Sequence, residues 1–416
     1  VVAGVFVAAS LLSGCWTQVG FGPGHRRFND VENGLVRSNV ASLTQAWTVA
    51  VPGEVSEPIV SGGRVYVTRA QSTPEATVGA RALDVGTGTT VWDTAVVDEL
   101  PFRSMLGVPS VLSGGDVWMG YTATRHPGPS PSDCAAGGFR LDADDGSIAG
   151  PTSSADHAVS PAVTAGSIVV QTERWWGSTA AMPCGSSTET QLVIRDATTL
   201  AELWRTTVPG PSISHVLPAP TVANDRIIVA SGSTLTAYPL GCGVSNCPWL
   251  WTKTFGQEIQ NWSFADGGQN RIFVAMFNEV AVLNAVGTTL WRAQANAING
   301  GIAVTADHLF VSAATETEFA LLVFPAGGCG APTCAPTWSG SLGEGLTSAP
   351  VVAGGVAYVG IGDRLLAFDA AGCGASTCPP LLTRTVPTPA RFLSVAQGRL
   401  FVAGPGGLTA YRPGPG

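Results

Sequence analysis

Charge is what this chain has least of. Asp, Glu, Lys and Arg make up 12% of its 416 residues, about half the ~25% usual in globular proteins. The few charges leave a net −8 and form no Lys/Arg cluster, which excludes nucleic acid from the expected partners. The acidity itself speaks for solubility more than for function. No helical period of useful length appears. No apolar run is long enough to span a bilayer. Turn formers are plentiful instead, with 52 Gly and 29 Pro in a chain that is 45% hydrophobic. That mixture points to an all-β protein with many tight turns and argues against disorder.

The longest apolar run covers residues 1–12 and meets Leu12-Ser13-Gly14-Cys15. It is short enough for a signal-peptide core, and the four residues resemble a bacterial lipobox. The expectation is a signal peptide over 1–14 and lipidation at Cys15. A lipidated tether and lead-in would follow over 15–42. A secreted chain permits disulfides, and setting Cys15 aside leaves eight cysteines, an even number.

A repeat organises the rest. Apolar triplets such as Val65-Tyr66-Val67, Ile227-Ile228-Val229 and Leu400-Phe401-Val402 recur eight times, each followed by a second strand signal such as "RALD" or "LTAY". A further strand usually carries Trp, as in "TVWDTAV" and "ELWRTTV". Four short strands per unit, at roughly 37–59-residue spacing, is the signature of propeller blades. The last unit lacks its fourth strand, and "LTQAWTVAV" at 43–51 is an unused strand with the right signature. Joining the two closes the ring and removes open edges. The tryptophans are expected in the core between neighbouring blades.

The pattern P-V-x-x-G-x-V-Y-V … L-x-A-x-D … x-L-W resembles the PQQ-like propeller repeat of quinoprotein dehydrogenases and related lipoproteins. The lead-in at 20–49, with Asn39, Val40, Leu43 and Trp47, is similar to theirs. The family includes dehydrogenases and non-catalytic scaffolds. Its enzymes hold a quinone beside calcium, with an adjacent Cys-Cys disulfide, a Glu/Asn/Asp calcium set, a stacking Trp and a catalytic Asp. This chain has no Cys-Cys dipeptide, so no cofactor, no metal and no catalytic residue are expected.

Other chemistry reduces to simpler readings. Asp142, Asp144 and Asp145 look like half a calcium loop, but Asp142 aligns with Asp84, Asp196 and Asp369 as a turn-opening residue. Asp156, His157 and Ser160 are neighbours on one segment and make a poor triad. The Cys-x4-Cys pairs fall at the tips between third and fourth strands. They are expected as local disulfides, Cys242–Cys247, Cys329–Cys334 and Cys373–Cys378. The spread of these tips around a ring excludes a shared metal site.

Loops entering the first strands would surround the channel mouth and offer a small-ligand site through Arg103, His157, His215, Asn261, Trp262, Asn299 and Arg391. The two longest insertions, 122–139 and 172–191, come from consecutive blades and should emerge on that same face. They are expected to form a platform carrying Trp175, Trp176 and His126, stiffened by a Cys134–Cys184 disulfide.

The expectation is therefore an all-β, eight-bladed β-propeller of four-stranded blades over 43–416, closed by 43–51. It would be a monomer, lipid-anchored outside the cytoplasm of a bacterium, serving as a non-catalytic scaffold for an envelope protein. A quinone- and calcium-dependent dehydrogenase and a carbohydrate-binding propeller are the alternatives.

Overall fold

The inner strands of this protein are apolar almost without interruption, and its outer strands alternate. Arg226–Ser231 is buried at every position after its first, whereas the outermost strand of the same sheet, Trp251–Thr254, alternates half-buried and exposed residues. Strands buried on both faces belong inside, between sheets, and alternating ones belong at the rim. A computed structural model shows the arrangement this dictates: an eight-bladed β-propeller with four-stranded blades. It describes residues 15–414 apart from 72–75, 101, 107, 113–114, 126–133, 152–156, 180–181, 187–188, 211–216, 244–245 and 266–269. At several strand ends, among them 102–106, 121–125, 134–136, 157–158, 175–179, 182–186, 261–265 and 299–300, only the main chain is described.

Each blade is an antiparallel meander running from the channel outward. Blade 4 is typical, with Thr221–Ala223, Arg226–Ser231, Thr234–Pro239 and Trp251–Thr254 hydrogen-bonded in that order. The turns joining first to second strands and third to fourth strands therefore lie on one face of the ring. The second-to-third connections lie on the other. Blade 8 takes its outer strand from the beginning of the chain. Leu43–Val51 pairs antiparallel with Gly406–Pro413, from Leu43 opposite Pro413 to Val51 opposite Gly406. This is the closure the sequence predicts, and it leaves the ring without a seam.

Tryptophans fasten one blade to the next. Trp47, Trp92 and Trp251 donate their ring N–H to the carbonyls of Val85, Ala143 and Ala285 in the following blade, at 3.1, 2.9 and 2.8 Å. Each ring lies on a glycine of that blade's turn. A Cβ on Gly88 or Gly146 would stand 2.6 Å from the ring, and both have positive φ (+73° and +72°), so both position and conformation demand glycine. Trp291 and Trp338 rest in the same way on Gly328 and Gly372.

The turn-opening acids do what the repeat implies. Asp84 Oδ1 accepts from the amides of Gly86 and Thr87, and Asp196 Oδ1 from those of Thr198 and Thr199. The hydroxyl and amide of Thr87 hold the Asp84 carboxyl below its ordinary range, and those of Thr199 do the same for Asp196. Asp142 Oδ1 is occupied by the amides of Asp144 and Asp145.

Three disulfides join Cys242 to Cys247, Cys329 to Cys334 and Cys373 to Cys378. They are not merely local. Each loop reaches across a blade boundary and packs its second cysteine, 2–3% exposed, into the core around the preceding blade's Trp204, Trp291 or Trp338.

Candidate functional site

The two faces of the ring differ, and the lead-in makes the difference. Rather than hanging free as a tether, residues 16–35 run around the mouth of the channel in blade order. Trp16 exchanges main-chain hydrogen bonds with Val60 of blade 1, at 2.8 and 2.7 Å. Thr17 O accepts from Val111 of blade 2, and Gln18 Oε1 from the Thr164 amide of blade 3. Pro23 O takes the amide of Val222 in blade 4, Arg26 O that of Val304 in blade 6, and Arg27 O that of Val352 in blade 7. Asn29 Nδ2 donates to Val395 O of blade 8 at 2.7 Å. The contacts are rungs on innermost strands, so this segment covers the channel mouth on the face of the first-to-second turns.

Glu57 holds the plug in place. It is 1% exposed. Its Oε1 accepts from the Trp16 ring N–H at 3.0 Å and the Gly20 amide at 2.9 Å, while Oε2 pairs with Arg27 at 2.8 Å. A buried carboxylate is stable only when paired and hydrogen-bonded in this way. His25 sits nearby with Nδ1 3.3 Å from the Thr221 hydroxyl. Burial, reinforced by the charge on Arg27, lowers its pKa to about 3. Neither Glu57 nor His25 stands out in the sequence as a site residue. One signal was available: Glu57 is a charged residue two positions before the inner strand Ile59–Ser61, beside a serine with a repeated role. Ser56, Ser160 and Ser348 each accept the amide of the second strand, from Thr68, Thr172 and Gly360. Glu57 follows the first of them.

Cys15 is buried where the plug begins and is the free cysteine among the described residues. No helix among the described residues is long and apolar enough to cross a membrane.

The opposite face carries the insertions, and these are strands more than loops. Val117–Arg125 and Cys134–Leu141 pair up to Thr124 opposite Cys134, and Phe102–Leu106 joins on the other side, with Arg103 opposite Thr124. In blade 3, Ile168–Thr179 continues past the ring, pairing with His157–Val159, Thr190–Asp196 and Met182–Ser186. His157 is the register partner of Trp175, and Trp176 that of Ser186. The base of this hairpin is built from buried charge. Arg195 pairs with Glu173 at 2.6 Å, and Arg174 donates to Thr190 Oγ1 at 2.9 Å. Burial pulls the pKa of Arg174 below its ordinary value.

Several of the remaining sequence candidates are placed by their main chain, in strands rather than in loops. Asn261 and Trp262 lie within the strand Ile259–Ala265 and Asn299 within Asn296–Val304, not in mouth loops. The cause is register: Asn261 and Trp262 have partners in Ala275 and Val274. Arg391 does precede a first strand, but its guanidinium is engaged by Glu54 at 3.1 Å across the blade 8–blade 1 boundary. His126 and His215 lie outside the described residues, as do the side chains of Cys134 and Cys184 and therefore their pairing.

A quinone held beside calcium needs a gathered set of oxygen donors. Among the described residues no three His, Cys, Asp or Glu stand together as metal ligands. Both oxygens of the buried Glu57 are spent on the plug.

Comparison with known proteins agrees with this architecture. Residues 20–147 and 276–373 match the family described as outer membrane protein assembly factor BamB. BamB from Moraxella catarrhalis superposes with a TM-score of 0.59 at 15% identity, over 89% of this chain and 98% of that one. The quinohemoprotein alcohol dehydrogenase of Comamonas testosteroni gives 0.68 at 13% identity, over 98% and 83%. The ADHIIG enzyme of Pseudomonas putida HK5 gives 0.67 at 12%, over 97% and 80%. No curated protein sequence matches. Identities this low establish the fold alone, but the family match extends over more than half of the residues, and the chain belongs to the outer membrane protein assembly factor BamB family.

Proposed function

We propose that the protein is a non-catalytic scaffold outside the cytoplasm, anchored through Cys15, that binds an envelope protein through the blade 2 and 3 hairpins. The observation that carries this reading is the asymmetry of the ring. One face is covered by the chain's own lead-in, while the other raises two strand hairpins, that of blade 3 on a base of buried, paired charges. Rigid scaffolds that lift sequence-rich segments clear of the ring are built for recognition. A scaffold role is also what the name of the BamB relative suggests.

Anchoring at Cys15 fits that orientation. Trp16 is already fixed to blade 1, so acyl chains on its neighbour would hold the covered face against the bilayer and turn the hairpins away from it. A single experiment on membranes of the producing cell tests both parts. Wild-type protein should sediment with membranes and cross-link to one partner. Trp175→Ala with Trp176→Ala should sediment and lose the cross-link. Cys15→Ala should leave the membrane fraction. An unchanged cross-link in the double variant removes the hairpins from the interface.

A further inference from the structure

The outer strand of every blade presents an edge of main-chain donors and acceptors. At three blade boundaries the next blade's cysteine loop fills that edge. Thr333–Cys334 lies parallel to the outer strand of blade 5, Thr289–Gln294, and the Arg292 amide donates to Pro332 O at 2.8 Å. At blade 6 the Ser339 amide donates to Ser376 O at 2.9 Å, and Ser339 O accepts from Cys378 at 2.8 Å. At blade 3, Arg205 O accepts from the Asn246 amide at 3.2 Å. In each case the paired residue is the one that follows the docked tryptophan.

Blade 4, like blades 8 and 1, faces a short turn instead of a cysteine loop, and it differs from those two in how exposed its tryptophan is. The residue after its tryptophan is Thr252. Blade 5 faces it with a short turn over 284–288 in place of a cysteine loop, and that turn reaches Trp251 only through Ala285 O. Among the described residues, no main-chain group of blade 5 pairs with Thr252. Trp251 is only partly buried, whereas Trp47 and Trp92, which also face short turns, and Trp204, Trp291 and Trp338 are 3–7% exposed. Around it stand three exposed apolar residues: Trp249 at 55%, Leu250 at 51% and Val286 at 65%. Beside Thr252 is Lys253, the one lysine in the chain, which forms no ion pair among the described residues.

We propose that the outer edge of blade 4 docks a short extended segment of a partner protein. The segment runs parallel to Trp251–Thr254, sets apolar side chains against Trp249, Leu250 and Val286, and brings a carboxylate to Lys253. The chain's own loops show what the edge accepts, namely two or three extended residues engaging the position after the tryptophan. The charge of Lys253 selects the partner. A basic segment is repelled, and a second copy of this chain would set lysine against lysine, the device that keeps natural edge strands from pairing with themselves. An acidic, apolar strand satisfies both requirements, with the edge supplying affinity and the side chains specificity. This edge is separate from the blade 2 and 3 hairpins, so either interface stands if the other fails.

The test uses the full chain and two synthetic nonapeptides, one alternating Val and Glu and one alternating Val and Lys. Lys253 is the sole side-chain amine, so its acylation rate by an amine-reactive ester is read directly by mass spectrometry. Hydrogen exchange at Thr252 reports the main chain. The Val–Glu peptide should slow both by about tenfold at saturation, the scale of a closed edge hydrogen bond. The Val–Lys peptide should slow neither. Lys253→Glu, a surface change that leaves the fold intact, should exchange the two peptides' effects on hydrogen exchange at Thr252, the readout that remains in that variant. Protection by neither peptide, equal protection by both, or concentration-dependent protection of Lys253 without peptide would each overturn the proposal.

Discussion

His25 shows how one residue ties the plug to solution conditions. Its ring is buried beside Thr221 in the mouth of the channel, and its folded pKa is lowered to about 3 from an ordinary 6.5. The fold therefore favours the neutral ring. Its contribution is complete above pH 6.5 and is lost as pH falls toward 3, because the unfolded chain takes up the proton first. The linked loss should reach ~2 kcal/mol at pH 5. His25→Asn, which tolerates the positive φ of +51° at this position, should flatten the fall in denaturation midpoint between pH 7 and pH 5. An unchanged slope would place the acid sensitivity elsewhere. Residues of this kind are hard to see in a sequence. Asp84 and Asp196 could be assigned because their partners lie within three positions. Glu57 could not, since Trp16 is 41 positions away and Arg27 is 30.

At the scale of elements, the cysteine loops were legible as hairpin staples and illegible as edge covers. Periodicity placed each pair between a third and a fourth strand. Nothing in a local pattern says which neighbouring edge such a tip will meet, because that depends on the spacing of blades around a closed ring. The insertions of blades 2 and 3 differ from the expected loops for a related reason. Read as loops, they continue as strands because each finds a register partner, as Trp175 does in His157 and Thr124 does in Cys134. The covering role carries a prediction. Replacing Cys373 and Cys378 by Ser should cost about 2 kcal/mol through loop-closure entropy alone. It should also loosen the bond from Cys378 to Ser339 O and expose the edge of blade 6. The variant should show a lower denaturant midpoint and faster hydrogen exchange near Ser339. If exchange there is unchanged, the pairing across the blades does not depend on the disulfide.

For the whole molecule, ring closure and channel plugging are separate devices supplied by adjacent stretches of chain. Residues 43–51 complete blade 8, and a ring closed in this way has no need of anything before them. Residues 16–35 add contacts to the inner strands of seven blades without contributing to closure. Deleting 16–34 should therefore leave an intact propeller by far-ultraviolet circular dichroism and a lower melting temperature. The cost has an identifiable centre. Without Trp16, Gly20 and Arg27, the Glu57 carboxylate is left in the channel with none of its observed partners. Removing one partner of a buried pair typically costs about 3–5 kcal/mol. Glu57→Gln should lower the stability of the full chain, where it breaks the Arg27 pair, and raise that of the shortened chain, where it removes an unpaired charge. That reversal of sign distinguishes a plug locked by Glu57 from a segment that merely adds buried area, for which the same substitution would act alike in both chains.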